Sequence, residues 1–347
     1  MTRCAWFASR AASTSVIRRH RHSSCPDHSQ LSVLWICTIA LFQGLSRGCA
    51  YSSVELHREE YTLPSQRVTF RQLMAKGNLI RAAGAHDALG SALAQQAGFQ
   101  AVWASSLEVS ASRCLPDASV LTMTEYLAAA ANMQKAVDIP VVADVDTGFG
   151  NNLNVAHMVR EYEAAGITAV CIEDKVYPKV NSFAATDHEL LPVATFTRKL
   201  TTAKAAQQDE DLYVIARTEA LINNKGVDEA LDRCYAYAEA GADAVLVHSK
   251  KKDQGEIVEF LDSWDGRSPV VIVPTTYPQW SADEAEKHGV SMVIYANQGL
   301  RATIQALRDA FRTIYDDGTS LGVENAIAPV SDIFALQKLD DWLALEA

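Results

Sequence analysis

From about residue 68 the chain alternates two apolar patterns. Short, nearly unbroken apolar runs read as buried strands. Longer stretches between them carry apolar residues at the three- and four-residue spacing of one helix face. The runs predict strands over Leu79–Ala85, Ala101–Ser105, Pro140–Asp144, Ala169–Ile172, Tyr213–Ala216, Ala244–Val247, Val270–Pro274 and Met292–Tyr295. The longer stretches predict helices over Thr124–Val137, Asn154–Ala165, Ala194–Gln207, Val227–Ala240, Gly255–Trp264 and Arg301–Tyr315. Ala-Gly pairs at 97–98, 165–166 and 240–241 stand where helices should end, and glycine suits the left-handed cap there. Eight strand–helix units in about 250 residues predict an α/β fold, a (β/α)8 barrel of the TIM type. The rival is an open doubly wound sheet. No Gly-x-Gly-x-x-Gly follows the first strand, which disfavours a dinucleotide fold. After the eighth unit Val330–Leu345 continues as an amphipathic helical segment. It exceeds what a lone barrel needs and is expected to pack against a neighbouring subunit or be swapped with it.

Charge changes this picture at one end only. Residues 1–50 hold six arginines (Arg3, Arg10, Arg18, Arg19, Arg21, Arg47) and a single acid, Asp27. The remaining residues carry 25 basic and 41 acidic side chains, a net of −16. The first fifty residues therefore read as a separate basic extension. An apolar run lies within it from Leu31 to Leu45, and Gly48 and Ala50 supply small residues of the kind found before a cleavage site. We expect a targeting segment over 1–50, a linker over 51–67 and a catalytic barrel over 68–347. A secretory or plastid-type signal, the first half of a bipartite organelle address and a mitochondrial presequence all remain open. The overall charge of −11 argues against nucleic acid as the main partner. Cys4, Cys25, Cys37 and Cys49 lie in the extension. Cys114, Cys171 and Cys234 remain in the body without metal-type spacing, so no disulfide framework is expected.

The candidate chemistry gathers at the strand ends. The second strand runs into Trp103-Ala104-Ser105-Ser106, the third into Asp144-Val145-Asp146-Thr147-Gly148-Phe149-Gly150-Asn151, and the fourth into Glu173-Asp174-Lys175. The fifth ends at Arg217-Thr218-Glu219 and the sixth at His248-Ser249-Lys250. All five fall on the C-terminal side of their strands, the face on which barrel enzymes place their active sites. Asp144, Asp146 and Glu173 form a carboxylate cluster whose mutual repulsion calls for a cation. Hard oxygen donors without His or Cys suit Mg2+, or Mn2+ in its place. The alternative is that one or more caps a helix or pairs with Lys175. Arg217 suits a carboxylate or phosphoryl group held by two hydrogen bonds, and His248 can donate to the same group. Gly148 and Gly150 fit either a close backbone approach to ligand or an ordinary tight turn. The loop after the fourth strand, Lys175-Val176-Tyr177-Pro178-Lys179-Val180-Asn181-Ser182-Phe183, carries a lysine, an amide and a hydroxyl suited to an anionic ligand.

These motifs, together with Leu115-Pro116-Asp117 and Ala216-Arg217-Thr218-Glu219-Ala220, resemble the isocitrate lyase/phosphoenolpyruvate mutase superfamily from about Phe70 to Leu339. Carbon–carbon lyases of that superfamily carry a cysteine in a Lys-Lys-Cys-Gly-His or Lys-Arg-Cys-Gly-His loop. The equivalent stretch here, Lys179-Val180-Asn181-Ser182-Phe183, has none, and Pro-Lys-x-Asn-Ser looks like the phosphoenolpyruvate mutases. The similar phosphonopyruvate hydrolases usually have Thr where Asn181 stands. The resemblance implies an isomerase of phosphonate biosynthesis that interconverts phosphoenolpyruvate and 3-phosphonopyruvate, with phosphonopyruvate hydrolysis or another lyase reaction as the alternative. It implies Mg2+ held directly by Asp144 and through water by Asp146 and Glu173. It implies substrate held by Trp103, Ser105, Ser106, Leu107 and Ser182, and phosphoryl oxygens held by Arg217, His248 and Asn181. Asp117 and Lys179 are implied catalytic residues, with Lys179 and Asn181 on a gating loop. A homodimer or homotetramer is implied, with a phosphonopyruvate decarboxylase consuming the product. One departure stands out. The mutases typically show Trp-Gly-Ser-Gly-Leu where this chain has Trp103-Ala104-Ser105-Ser106-Leu107.

Overall fold

The computed structural model describes residues 66–75, 77–184 and 189–346. The expected targeting segment, and the linker up to residue 65, lie outside the described residues. Helix α1 (Gln66–Ala75) begins inside the stretch expected as linker.

Eight parallel strands close into a barrel in chain order. They are β1 (Ile80–Ala85), β2 (Ala101–Ala104), β3 (Val141–Asp144), β4 (Ala169–Glu173), β5 (Tyr213–Thr218), β6 (Ala244–Val247), β7 (Val270–Ile272) and β8 (Val290–Tyr295). Around them run α2 (Ala88–Gln96), α3 (Ser106–Ser112), α4 (Met123–Ala136), α5 (Asn152–Ala164), α6 (Val193–Ala206), α7 (Val227–Glu239), α8 (Gly255–Ser263) and α9 (Ala282–Lys287). The chain finishes with α10 (Gln298–Asp317), α11 (Val330–Leu336) and α12 (Leu339–Leu343). The predicted strands and helices all form, most within a residue or two of their expected bounds. Strand β7 stops early, because Pro274 has no N–H to extend a ladder. The last predicted helix breaks in two at Lys338, whose φ is 52°. Gly98, Gly166 and Gly241 take positive φ after their helices, as the Ala-Gly pairs predict.

The core has two layers. Alternate strand residues, among them Ala82, Trp103, Val142, Cys171, Ile215, Leu246, Val271 and Met292, fill the barrel interior. Phe70 and Met74 of α1 join this cluster. Phe70 meets the ring of Tyr213, the first residue of β5, so α1 closes the N-terminal end of the barrel. The other strand faces pack against the surrounding helices. The first strand pairs with the last over Ile80–Ala83, and Gly84 lies just beyond that pairing. A Cβ there would lie 2.3 Å from the carbonyl oxygen of Ala296 and 2.8 Å from Glu108 Oε1, so no side chain fits at that seam.

Helix α10 departs from this arrangement. It spans 20 residues and none is buried, although Ile304, Leu307, Phe311 and Ile314 follow one apolar stripe. Among the described residues no helix is long and apolar enough to cross a membrane.

Candidate active site

The strand register sets the site. Glu173 and Arg217 are direct neighbours across β4 and β5, and Asp144 pairs with Cys171 across β3 and β4. Beyond β2 the chain turns into α3, whose N-cap Ser105 accepts the amide of Glu108. The residues at these strand ends enclose a cavity of about 50 Å³. Every residue named from the sequence as substrate-binding or catalytic lines it, as do Asp144 and Glu173. Asp146 does not; it is buried just behind, against Lys179. Strand ends β7 and β8 add Val273, Thr275, Ala296 and Asn297, which the sequence reading passed over. Thr275 and Asn297 gave the same signal as the others, a polar residue just past an apolar run.

The loop after β4, as far as residue 184, folds over this mouth. Its base is narrow: the amide of Val176 donates to Glu189 O at 2.9 Å and that of Leu191 to Asp174 O at 2.8 Å. Lys179 donates to Asp117 Oδ1 and stands 3.0 Å from Asp146 Oδ1. Asn181 donates from Nδ2 to Asp117 Oδ2 at 2.7 Å, and its backbone amide donates to Asp117 O at 2.9 Å. Asp117 thus docks the loop in its closed position. Asn181 Nδ2 keeps a second hydrogen for a ligand.

Ser182 was expected to hold substrate, and its hydroxyl is committed elsewhere. It donates to Glu219 Oε2 at 2.6 Å and accepts from Lys175 Nζ at 2.7 Å and from Arg217 Nη2 at 3.3 Å. One donor and two acceptor sites are all that a hydroxyl has. Gly148 and Gly150 also resolve differently from a ligand-approach role. Neither lines the cavity, and with φ of 80° and 143° they serve the turn that leads into α5.

Ser106 stands where glycine was the expected residue, and the structure accommodates it. It is the first residue of α3 and is not among the residues of positive φ. Its hydroxyl donates to Asp144 Oδ2 at 2.9 Å, while Asp144 Oδ1 accepts the amide of Asp146.

His248 is buried. Burial first, then the charge of Arg217, push its imidazole down to about 3, so the ring is neutral. Arg217 Nη2 lies 3.3 Å from Nδ1. An arginine can only donate, so Nδ1 accepts and the hydrogen sits on Nε2. That Nε2 is buried without a hydrogen-bond partner, an unspent donor at the cavity wall. Burial works against ionising Glu219, yet Arg217 and Lys175 hold its carboxyl well below the usual range.

The acids outnumber the bases here. Asp117, Asp144, Asp146, Glu173 and Glu219 face Lys175, Lys179 and Arg217, five carboxylates to three cations. Burial raises the Asp144 carboxyl and pushes that of Asp146 up to about 7, despite the nearby charge of Lys179. Glu173 Oε1 is buried without a hydrogen bond. Five carboxylates against three cations, with an orphaned carboxylate oxygen among them, fit a divalent cation of the Mg2+ type, which would favour their ionised forms. Among the described residues no three such side chains are arranged to hold an ion by themselves.

The sequence profile described as "Phosphoenolpyruvate phosphomutase" matches residues 70–315. The chain belongs to that family. It is 44% identical to the phosphonopyruvate hydrolase of Variovorax sp. (strain Pal2) over 80% of this chain and 96% of the relative. It is 43% identical to the phosphoenolpyruvate phosphomutase of Streptomyces hygroscopicus, over 73% of this chain and 81% of the relative. A solved phosphoenolpyruvate phosphomutase from Streptomyces platensis subsp. rosaceus superposes with a TM-score of 0.80 and 52% identity, covering 81% of this chain and 98% of the other. A phosphonopyruvate hydrolase solved with oxalate and Mg++ gives 0.78 and 42% over the same shares. Phosphoenolpyruvate phosphomutase family membership makes the chain an enzyme of the isocitrate lyase/PEP mutase superfamily. Overall identity does not divide mutase from hydrolase.

Proposed function

We propose that the protein interconverts phosphoenolpyruvate and 3-phosphonopyruvate, moving a phosphoryl group between the enol oxygen and C3 of one three-carbon acid. The observation that carries this reading is the closed loop, with Asn181 in place of a catalytic cysteine and hydrogen-bonded to Asp117 beside Arg217 and His248. A loose, metaphosphate-like transition state needs its three oxygens held in place more than it needs a strong base. The guanidinium of Arg217, the Nε2–H of His248 and the second Nδ2–H of Asn181 are available for that. The amides of Ser106 and Leu107 at the start of α3 suit the carboxylate end of the substrate. Bound Mg2+, at Asp144 directly and at Asp146 and Glu173 through water, would stabilise negative charge on the enolate and carboxylate oxygens. The hydroxyl of Ser106 fixes the orientation of the Asp144 carboxylate. The loop excludes water, which would otherwise capture the phosphoryl group.

Hydrolysis of phosphonopyruvate is the second reading, favoured by the 44% identity to a hydrolase. Phosphorus NMR separates the two. Incubated with phosphonopyruvate and Mg2+, the wild-type protein should yield a phosphoenolpyruvate signal. Inorganic phosphate in its place would establish the hydrolase, and an unchanged spectrum would rule out both. Asn181→Ala should lose most of the isomerase turnover while Mg2+ binding persists.

The assembly we propose is a homodimer or homotetramer in which the apolar stripe of α10 is covered by a second copy. A phosphonopyruvate decarboxylase would draw off the product, and the N-terminal segment would direct the chain to an organelle or a secretory route.

A further inference from the structure

Lys175 follows Glu173 and Asp174 at the end of β4, and only 2% of it is exposed. Its ammonium donates to Val180 O at 3.1 Å and to Ser182 Oγ at 2.7 Å. Both acceptors belong to the loop that covers the cavity. Its carboxylate neighbours, Glu173 and Glu219, stand off at 3.6 and 3.5 Å. Ser182 in turn bonds Glu219, and Glu219 bonds Arg217. The loop is thus fastened on two sides, with Ser119 also bonding the Lys179 backbone at its outer edge. Asp117 holds its outer edge through Lys179 and Asn181, and the barrel holds its underside through Lys175. If the loop swung away, the ammonium would give up two hydrogen bonds made inside a dry site for contacts with water, which favours the closed position.

We propose that Lys175 and Ser182 form a latch that holds the loop shut, making Lys175 a positioning residue that acts from beneath the lid rather than on the substrate. The latch itself is independent of which reaction runs above it; only its effect on products rests on the mutase reading. With the latch weakened, water enters. Its oxygen forms a bond to phosphorus as the phosphorus–C3 bond breaks, and C3 takes a proton. Phosphonopyruvate and water then give pyruvate and inorganic phosphate.

Trypsin tests the latch without substrate. The peptide bond after Lys179 lies in the loop, and Lys179 is buried while the loop is closed. In the full chain, Ser182→Ala should speed cleavage at that bond about tenfold, with cleavage positions identified by mass spectrometry and other sites unchanged. Lys175→Met, which keeps the bulk and removes the charge, should speed it at least as much. Unchanged cleavage after Lys179 in both variants would overturn the latch. So would accelerated cleavage throughout the barrel, because the two residues would then hold the fold and not the loop. In the NMR assay Ser182→Ala should raise the share of inorganic phosphate among products several-fold. Wild-type protein yielding inorganic phosphate alone would end the mutase reading and leave the trypsin result to decide the latch.

Discussion

At the floor of the barrel Arg71 is about one-third exposed (34%), between Asp211 at 3.3 Å and Asp243 at 3.1 Å, and lies over the ring of Tyr213. At the mouth Lys179 is buried between Asp117 and Asp146, with Glu173 and Arg217 close behind. The same strands carry both ends. Arg71 and Asp211 reach water, and such a pair contributes about 0–1 kcal/mol. Mouth charges are dry, crowded and unequal in number, an arrangement that hydrophobic residues would replace without loss of stability. The difference teaches which end the fold uses for holding together and which it strains for chemistry.

Substitutions at the two ends should therefore fail in different assays. Asp144→Ala should cut Mg2+-dependent turnover roughly 10³-fold, about 4 kcal/mol of barrier, while the melting temperature holds or rises. Full activity of the wild-type protein after EDTA treatment would contradict the metal role. Phe70→Ala should do the reverse, lowering unfolding free energy by about 3 kcal/mol in urea titration with kcat unchanged. A catalytic defect of similar size would mean that floor and mouth are not separable. His248 gives an intermediate effect through pH. Its folded pKa of about 3 lies below its unfolded value of 6.5, so the unfolded chain binds the extra proton as pH falls. Its contribution is complete above pH 6.5 and is lost progressively from there towards pH 3. His248→Asn should give a shallower loss of stability across that window than wild type, and an identical slope would place the imidazole in water. The smallest effect belongs to Arg71→Ala, at about 1 kcal/mol of stability and none of activity.

The barrel was legible because buried parallel strands must be apolar throughout and their ends need not be. That contrast marked the third to sixth strand ends directly. Helix α3 was missed because Ser-Leu-Glu-Val-Ser-Ala-Ser shows little apolar periodicity; its start is fixed by the Ser105 cap. The work of Lys175 and Ser182 was hidden for another reason. A loop that returns onto its own strand end brings together residues whose spacing in the chain says nothing about their contact. Helix α10 shows a further limit. Periodicity gave its apolar stripe but not what would cover it.

Gly84 bears on how intolerance to mutation should be interpreted. It does not line the cavity at the barrel mouth and carries no chemistry, yet the Ala296 carbonyl just beyond the last strand leaves no room for one methyl group. In a saturation library this position should be as unforgiving as Asp144. A map of forbidden substitutions would therefore outline two things at once, the reacting groups and the hoop that keeps the barrel round. Only an assay of folding alongside turnover would tell them apart.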